Sequence, residues 1–298
     1  MANLSTTYLN PQIVSQLNNL SLRARLVVEG FIAGLHRSPY HGFSVEFAEH
    51  RAYGPGDEIR HVDWKLYGKT DRYYVKQFEE ETNLKCYLLV DQSRSMDFDS
   101  HGVSKLTYAQ TLAASLTYLM LKQQDAVGLA LFDGRLRHYL PPRAKPSHLN
   151  TVLGYLARIK PGPETTIAPV LHQLAETIVK RGLIILISDL FDDPQEVLLG
   201  LRHLRHKQHE VVVFHLLDPQ ELEFSFSRRT RFRDMETGEV LTTEPWHIQE
   251  EYNRYMQEFI ERYRRQCRQQ NIDYLQITTN QPLDRALSEY LIKRRHAA

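Results

Sequence analysis

The sequence predicts an α/β fold: a mostly parallel sheet flanked by helices, preceded by a small N-terminal α+β appendage. Three observations carry that reading. From Cys86 onward, short apolar runs of strand length alternate with stretches of helical period. The runs are apolar enough for strands covered on both faces. The first 84 residues have a different texture, polar and aromatic and punctuated by turn signals.

The elements follow in order. "PQIVSQLNNLSLRARLVVEGFIAGL" reads as one or two helical segments, with Leu22, Leu26 and Val27 at helical spacing. Turn signals at Ser38-Pro39, Pro55-Gly56-Asp57 and Thr70-Asp71 then separate short strand-like runs such as "YYVKQF". Residues 1–84 therefore read as a helical and β-rich appendage, and 85–298 as the main domain. In that domain "CYLLV" is the first strand. A helix follows with Leu106, Ala109, Leu112, Ala113, Leu116 and Met120 on one face. "AVGLALF" is the second strand. "GRLRHYLPP" is an edge strand, because Arg135, Arg137 and Pro141 disfavour burial on both faces. Two helices lead to "LIILISD", the most apolar strand, then to "PQEVLLGLRHLRHK" and the strand "EVVVFHLLD". "FRDMETGEVL" reads as a hairpin inserted near 223–243. A long helix from about Trp246 carries Tyr252, Tyr255, Met256, Phe259, Ile260, Tyr263 and Cys267 as its apolar stripe. "YLQITT" and a last helix close the chain.

Composition excludes several classes. Hydrophobic residues at 42% and charged residues at 24% are those of an ordinary globular protein. Lys+Arg 37 against Asp+Glu 36 leaves +1, which argues against broad nucleic-acid binding. The arginine-rich pieces "SRRTRFR" and "RYRRQCR" accordingly read as solvated faces of the hairpin and the long helix. The two cysteines, Cys86 and Cys267, lack a C-x-x-C spacing and suggest neither a disulfide framework nor a zinc site. The histidines, His36, His41, His50 and His61 among them, show no H-x-H or H-E-x-x-H spacing, which argues against metal ligation by them. The start lacks the pattern of a secretory signal, and no stretch approaches the roughly 18 apolar residues of a spanning helix. The expected setting is cytoplasmic, with no transmembrane segment.

The chemistry concentrates at two strand ends. Asp91 ends "CYLLV" and Asp189 ends "LIILIS"; if those strands are neighbours, both carboxylates enter one crevice beyond the carboxyl edge of the sheet. Ser93 and Ser95 follow at alternate positions and face the same way on an extended loop. Thr165, just before a helix, would add a third hydroxyl. Two carboxylates and three hydroxyls make an oxygen-only site suited to Mg²⁺, or Mn²⁺. Gln92 and Arg94 would point elsewhere and tolerate substitution better than their neighbours. The bland reading of Asp91-x-Ser93-x-Ser95 is a turn with side-chain bonds.

This set resembles the metal-ion-dependent adhesion site of von Willebrand factor A domains, in the chain order Asp91, Ser93, Ser95, Thr165, Asp189. The resemblance implies a Rossmann-like von Willebrand factor A-like sheet. A narrower resemblance covers nearly the whole chain. "VEFAEHRAYGPGDEIRHVDWKLYGKTDRYYVKQFEEE" is similar to the signature of the bacterial domain of unknown function fifty-eight family, on Arg51, Tyr53, Asp57, Arg60, Asp63 and Trp64 among others. It departs at Gly68-Lys69-Thr70. The signature residues are either a partner-binding surface or structural, with arginine–carboxylate pairs and a docked Trp64 locking the appendage.

The family resemblance implies association with MoxR-type AAA+ ATPases in protein maturation or chaperone-like remodelling. The leading expectation is a non-catalytic, Mg²⁺-dependent adaptor. It would bind such an ATPase and protein clients that present an Asp or Glu, but not nucleic acid. Two alternatives stand beside it: a metal-dependent phosphoester hydrolase, for which Asp97 and Asp99 are available as a second acid or base but a D-x-D directly after the first strand is missing, and a metal-free structural scaffold.

Overall fold

The structure, a computed structural model, describes residues 11–17, 19–36, 50–52, 67–68, 73–76, 84–162, 166–226, 228–235, 238–284 and 286–288. The chain divides into two compact units, residues 38–83 and residues 1–37 with 84–298. In the smaller unit, β1 (His50–Ala52) pairs antiparallel with β2 (Tyr74–Lys76), Arg51 opposite Val75. Tyr67 stacks on Tyr73 with ring centroids 4.5 Å apart.

The larger unit contains a six-stranded sheet of β3 (Lys85–Asp91), β4 (Ala126–Phe132), β5 (Leu136–Arg143), β6 (Leu183–Ser188), β7 (Glu210–Leu217) and β10 (Asp273–Thr278). The spatial order is β10-β7-β6-β3-β4-β5. All neighbours run parallel except β5, which lies antiparallel on β4 at the edge. The predicted α/β class, the strand set and the edge position of "GRLRHYLPP" are thus those of the structure.

Alternation along the central strands feeds two cores. Cys86, Leu88 and Val90 of β3 join one apolar cluster; Tyr87 and Leu89 join the other. The first face is covered by α3 (Lys105–Lys122) and α4 (His148–Leu156), the second by α5 (Ile167–Thr177), α6 (Pro194–His206) and α8 (Pro245–Gln269). Ser104 caps α3 by accepting the Thr107 N–H, and Asp193 caps α6 by accepting from Gln195, with Pro194 in the first turn where its missing N–H costs nothing. The helix α3 has buried positions on nearly every side, because it also packs under α1 (Pro11–Ser15) and α2 (Leu20–His36).

That packing moves the expected domain boundary. Val14, Ala24, Val27 and Val28 are buried in the same core as Leu112 and Leu116, and Gln12 Nε2 donates to the His101 carbonyl at 2.8 Å. The N-terminal helices therefore belong to the main unit, and the separate piece is 38–83 rather than 1–84. The predicted hairpin is present as β8 (Thr230–Arg233) with β9 (Val240–Thr243). On α8 the predicted stripe is buried at Met256, Ile260, Tyr263 and Cys267, but Tyr255 is 56% exposed. Both cysteines are buried thiols, not joined in a disulfide.

Candidate cation site at the carboxyl edge of the sheet

Strands β3 and β6 are adjacent, with Val90 opposite Ile187, so Asp91 and Asp189 leave neighbouring strand ends. Both carboxylates are fully buried, as is Ser93. Asp91 Oδ1 accepts the Ser93 N–H at 2.8 Å and Oδ2 accepts the Ser188 hydroxyl at 2.6 Å. The Asp91–Ser93 bond folds the loop so that Ser93 Oγ and Ser95 Oγ meet at 3.0 Å. A short 3₁₀ turn, Arg94–Asp97, continues from there.

The β6 side is held as firmly. Leu190 adopts φ 56°, a left-handed conformation costly for a branched side chain. It is fixed from three directions: its N–H donates to Ser188 Oγ at 2.9 Å, and its carbonyl accepts from the Asp192 N–H at 2.8 Å and the Tyr263 hydroxyl at 3.2 Å. The buried His215 donates Nε2–H to the Asp189 carbonyl at 2.8 Å and accepts from the Tyr274 hydroxyl. Burial pushes this imidazole down to about 4, so it is neutral at pH 7.

A third loop is tied to the same edge on either side of residues 163–165. The Gly162 N–H donates to the Gln92 carbonyl at 2.6 Å, and the Ile167 N–H donates to Asp192 Oδ2 at 2.7 Å. Position 162 must be glycine, because a Cβ there would stand 2.0 Å from the Asp133 carboxylate. Thr165 itself lies outside the described residues. So do Tyr53, Asp57, Arg60, Asp63 and Trp64, and the side chain of Arg51.

The sequence reading missed the residue that most changes the electrostatics. Lys105 is fully buried, and its ammonium donates to Asp189 Oδ2 at 2.7 Å and Glu221 Oε1 at 2.6 Å. It also lies 4.6 Å over the Phe191 ring. Burial alone would lower the ammonium, but the two carboxylates outweigh it and hold it above its ordinary value. Glu221 is raised by its own burial and by Asp189, against the pull of Lys105. The available signal was a lysine opening an otherwise apolar helix, at the terminus where the helix dipole disfavours a cation.

The charges can now be counted. Asp91, Asp189 and Glu221 in their ionised forms outnumber Lys105 by two. Asp91 accepts from the Ser93 N–H and the Ser188 hydroxyl, both neutral donors, and burial together with the charge of Asp189 pushes it up to about 7. One divalent cation would balance the cluster. The donor set fits Mg²⁺ or Mn²⁺: every side-chain donor is oxygen, and the two serine oxygens are 3.0 Å apart. Adjacent ligands of an octahedral ion with bonds of about 2.1 Å stand about 3.0 Å apart.

A second constellation lies farther along this edge. Asp99, His101 and Asp218 bring potential ligand atoms within 4.8 Å of one another. Their present bonds are those of loop caps. Asp99 Oδ1 accepts the N–H groups of His101, Gly102 and Val103, while Asp218 accepts from Ser100 and from the Gln220 N–H opening α7 (Pro219–Glu223). Asp218 and Glu221 form the capping box of α7, so this cluster and Lys105 belong to one polar network.

The six-stranded, mostly parallel sheet flanked by helices is a von Willebrand factor A-like α/β fold. Residues 49–266 match the family described as "Protein of unknown function DUF58", and the chain belongs to that family. The uncharacterized protein Rv1480 of Mycobacterium tuberculosis is 28% identical over 234 residues, 78% of this chain and 73% of that one. YeaD of Bacillus subtilis is 28% identical over 121 residues, 40% of this chain and 28% of that one. An aerotolerance-related membrane protein from Bacteroides fragilis aligns with TM-score 0.50 at 20% identity, covering 70% of this chain and 99% of that one; this likeness shows the fold. BatB from Bacteroides thetaiotaomicron aligns with TM-score 0.49 at 18% identity over 70% and 98% of the respective chains.

Proposed function

We propose that this chain is a non-catalytic adaptor that holds Mg²⁺ or Mn²⁺ through Asp91, Ser93, Ser95 and Asp189, joined by Thr165, and uses the ion to grip a carboxylate of a partner protein. The observation that carries the reading is the buried, oxygen-only cluster with two negative charges in excess of Lys105. Once a divalent ion balances those charges, the hydroxyl ligands add none. The ion keeps affinity for an Asp or Glu brought from outside, because Mg²⁺ retains exchangeable water positions.

The chain's own residues orient the site. Ser188 fixes the Asp91 rotamer, Lys105 holds one oxygen of Asp189, and His215 anchors the Asp189 backbone. Binding rather than hydrolysis is supported by how the nucleophiles and bases are engaged. The Ser93 and Ser95 hydroxyls meet each other, and both nitrogens of His215 are bonded away from them.

The partner proposed is a MoxR-type AAA+ ATPase, with acidic client segments, acting in protein maturation or remodelling in the cytoplasm, where that ATPase finds its nucleotide. This step rests on the family. The solved structure of like fold from Bacteroides fragilis is described as a membrane protein; among the described residues of this chain no helix is long and apolar enough to cross a membrane.

A pull-down with the MoxR-type ATPase of the same organism tests the proposal. Capture is expected in Mg²⁺, and is lost in chelator and in Asp91→Ala. Equal capture in all three would end the cation mechanism. Turnover of phosphoester substrates that disappears with Asp91→Ala would establish the hydrolase reading instead.

A further inference from the structure

A cavity of about 510 Å³ opens directly beside the cation site, with Ser95 and Glu221 in its wall. Most of the remaining wall is aromatic, with Gln220, Arg233, Asp234 and Met235 completing it. Phe98 and Phe191 come from the loops after β3 and β6; Phe224, Phe226 and Phe232 come from the hairpin insertion, and Tyr252 from α8. The rings are braced against one another. Phe224 stacks on Tyr252 at 4.3 Å and on Phe232 at 5.4 Å, and Phe226 meets Phe232 edge-on at 5.0 Å. Holding the hairpin in place accounts for that stacking. It does not account for an open apolar cavity whose rim includes a proposed ligand of the ion.

The charge on the rim is the second observation. Along β8, Phe232 is half-buried while Arg231 and Arg233 are exposed, and Arg228 and Arg229 just before the strand are exposed too. Residues 228–233 thus hold four arginines and no acid. Arg233 itself lines the cavity. With a near-neutral chain, this is a local patch rather than a general basicity.

We propose that the aromatic cavity and the arginine strand read the residues beside the partner's metal-bound carboxylate. The occupant is an acidic peptide segment with an aromatic or large aliphatic side chain within about three residues of that carboxylate. The apolar side chain enters between Phe226, Phe232 and Tyr252, and the flanking acids face Arg228, Arg229 and Arg231. This rests on the reading of Asp91, Ser93, Ser95 and Asp189 as a cation site. The cavity supplies what a lone metal–carboxylate bond lacks, discrimination between one acidic segment and another.

Random twelve-residue peptides displayed on phage, bound to the full chain in Mg²⁺ and released by chelator, test both layers separately. The expected enrichment is an Asp or Glu close to a Phe, Trp, Tyr or Leu, with further acids around it. Met235→Trp, which fills the cavity from its wall, and Phe226→Ala should each keep the enriched acid and lose the apolar preference. Against either variant, a synthetic peptide of the selected sequence should bind at least about tenfold more weakly. Far-UV circular dichroism confirms folding, and Arg229→Glu with Arg231→Glu should weaken the same peptide in a salt-dependent way. Acids enriched without an apolar neighbour overturn the groove and leave the cation site standing. No chelator-released acidic peptide overturns both. A single-stranded oligonucleotide that binds the arginine strand more tightly than the peptide assigns the patch to nucleic acid and overturns the proposal.

Discussion

The ends of β3 and β6 carry the same residue at the same depth and treat it in opposite ways. Asp91 and Asp189 are both fully buried, one strand apart. Asp189 is neutralised from within by Lys105, which it shares with Glu221. Asp91 is met by a hydroxyl and a backbone N–H, neither of which cancels its charge, and its carboxyl is pushed up to about 7. Identical side chains therefore differ in what they still need. The β6 side is already paired and fixes geometry, while the β3 side retains the demand for a cation. A buried carboxylate's chemistry is set by its partners rather than by its depth.

Removing the internal cation breaks the contrast most violently. Lys105→Met leaves Asp189 and Glu221 buried without a counter-charge and is expected to cost about 3–5 kcal/mol, as loss of one member of a buried ion pair does. Denaturant unfolding in chelator measures it. Added Mg²⁺ should recover more stability in this variant than in the unaltered chain, because the cluster then carries three uncompensated negative charges. A loss under about 1 kcal/mol would mean the pair behaves as an exposed one.

The converse change acts on the β3 side. At saturating Mg²⁺, about a hundred times its dissociation constant, the unaltered chain should gain about 2.7 kcal/mol. Asp91→Asn should gain nothing. In chelator at pH 7 the same substitution is expected to stabilise, since it removes a carboxylate that resists ionisation in the folded state. A loss of stability there would show that Asp91 is already satisfied without an ion.

The two sides also set opposing pH slopes in chelator. The folded-state value of Asp91 is raised, so the folded chain binds the extra proton between about pH 4 and 7 and stability falls as pH rises through that window. The folded-state value of His215 is lowered to about 4, so the unfolded chain binds the extra proton between about pH 4 and 6.5 and stability rises with pH. Each contributes about 2 kcal/mol between pH 5 and 7, with opposite sign. Over that range these two contributions should largely cancel. Asp91→Asn should unmask the His215 slope and lose about 2 kcal/mol on acidification to pH 5. A flat profile in that variant would contradict the buried neutral imidazole.

What the sequence made legible was local or periodic. Apolar runs placed the strands, their ends placed Asp91 and Asp189, and the parallel α/β pattern required a crescent of loops beyond that edge. What stayed hidden depended on long-range pairing. Lys105 finds partners 84 and 116 residues away, and nothing in its own helix names them. Ser188 and His215 lie on apolar strands and reveal their roles only once β3, β6 and β7 are side by side. The domain boundary failed for a related reason. Periodicity identifies the apolar face of α2 but not the surface it covers, which proved to be α3.

The smallest expected effects test the loop between the two serines. The alternation of Asp91-x-Ser93-x-Ser95 points Gln92 and Arg94 away from the site and makes both more tolerant of change than their neighbours. The structure separates them: Arg94 is exposed, whereas Gln92 is 8% exposed. The backbone of Gln92 ties the cation edge together, its N–H donating to the Phe132 carbonyl at 2.7 Å and its own carbonyl accepting from Gly162 at 2.6 Å. Its side chain lies in the wall of the cavity lined by Asp133, Arg137 and Tyr155. Arg94→Ala should therefore change stability by less than about 0.5 kcal/mol. Gln92→Ala should cost about 1 kcal/mol, the usual scale for trimming a buried side chain that packs a loop. It should also weaken Mg²⁺ binding modestly, because the loop that follows Gly162 is anchored through that residue. Equal tolerance at the two positions, read by thermal unfolding with and without Mg²⁺, would mean that the backbone bonds alone hold the loop and the Gln92 side chain is incidental to it.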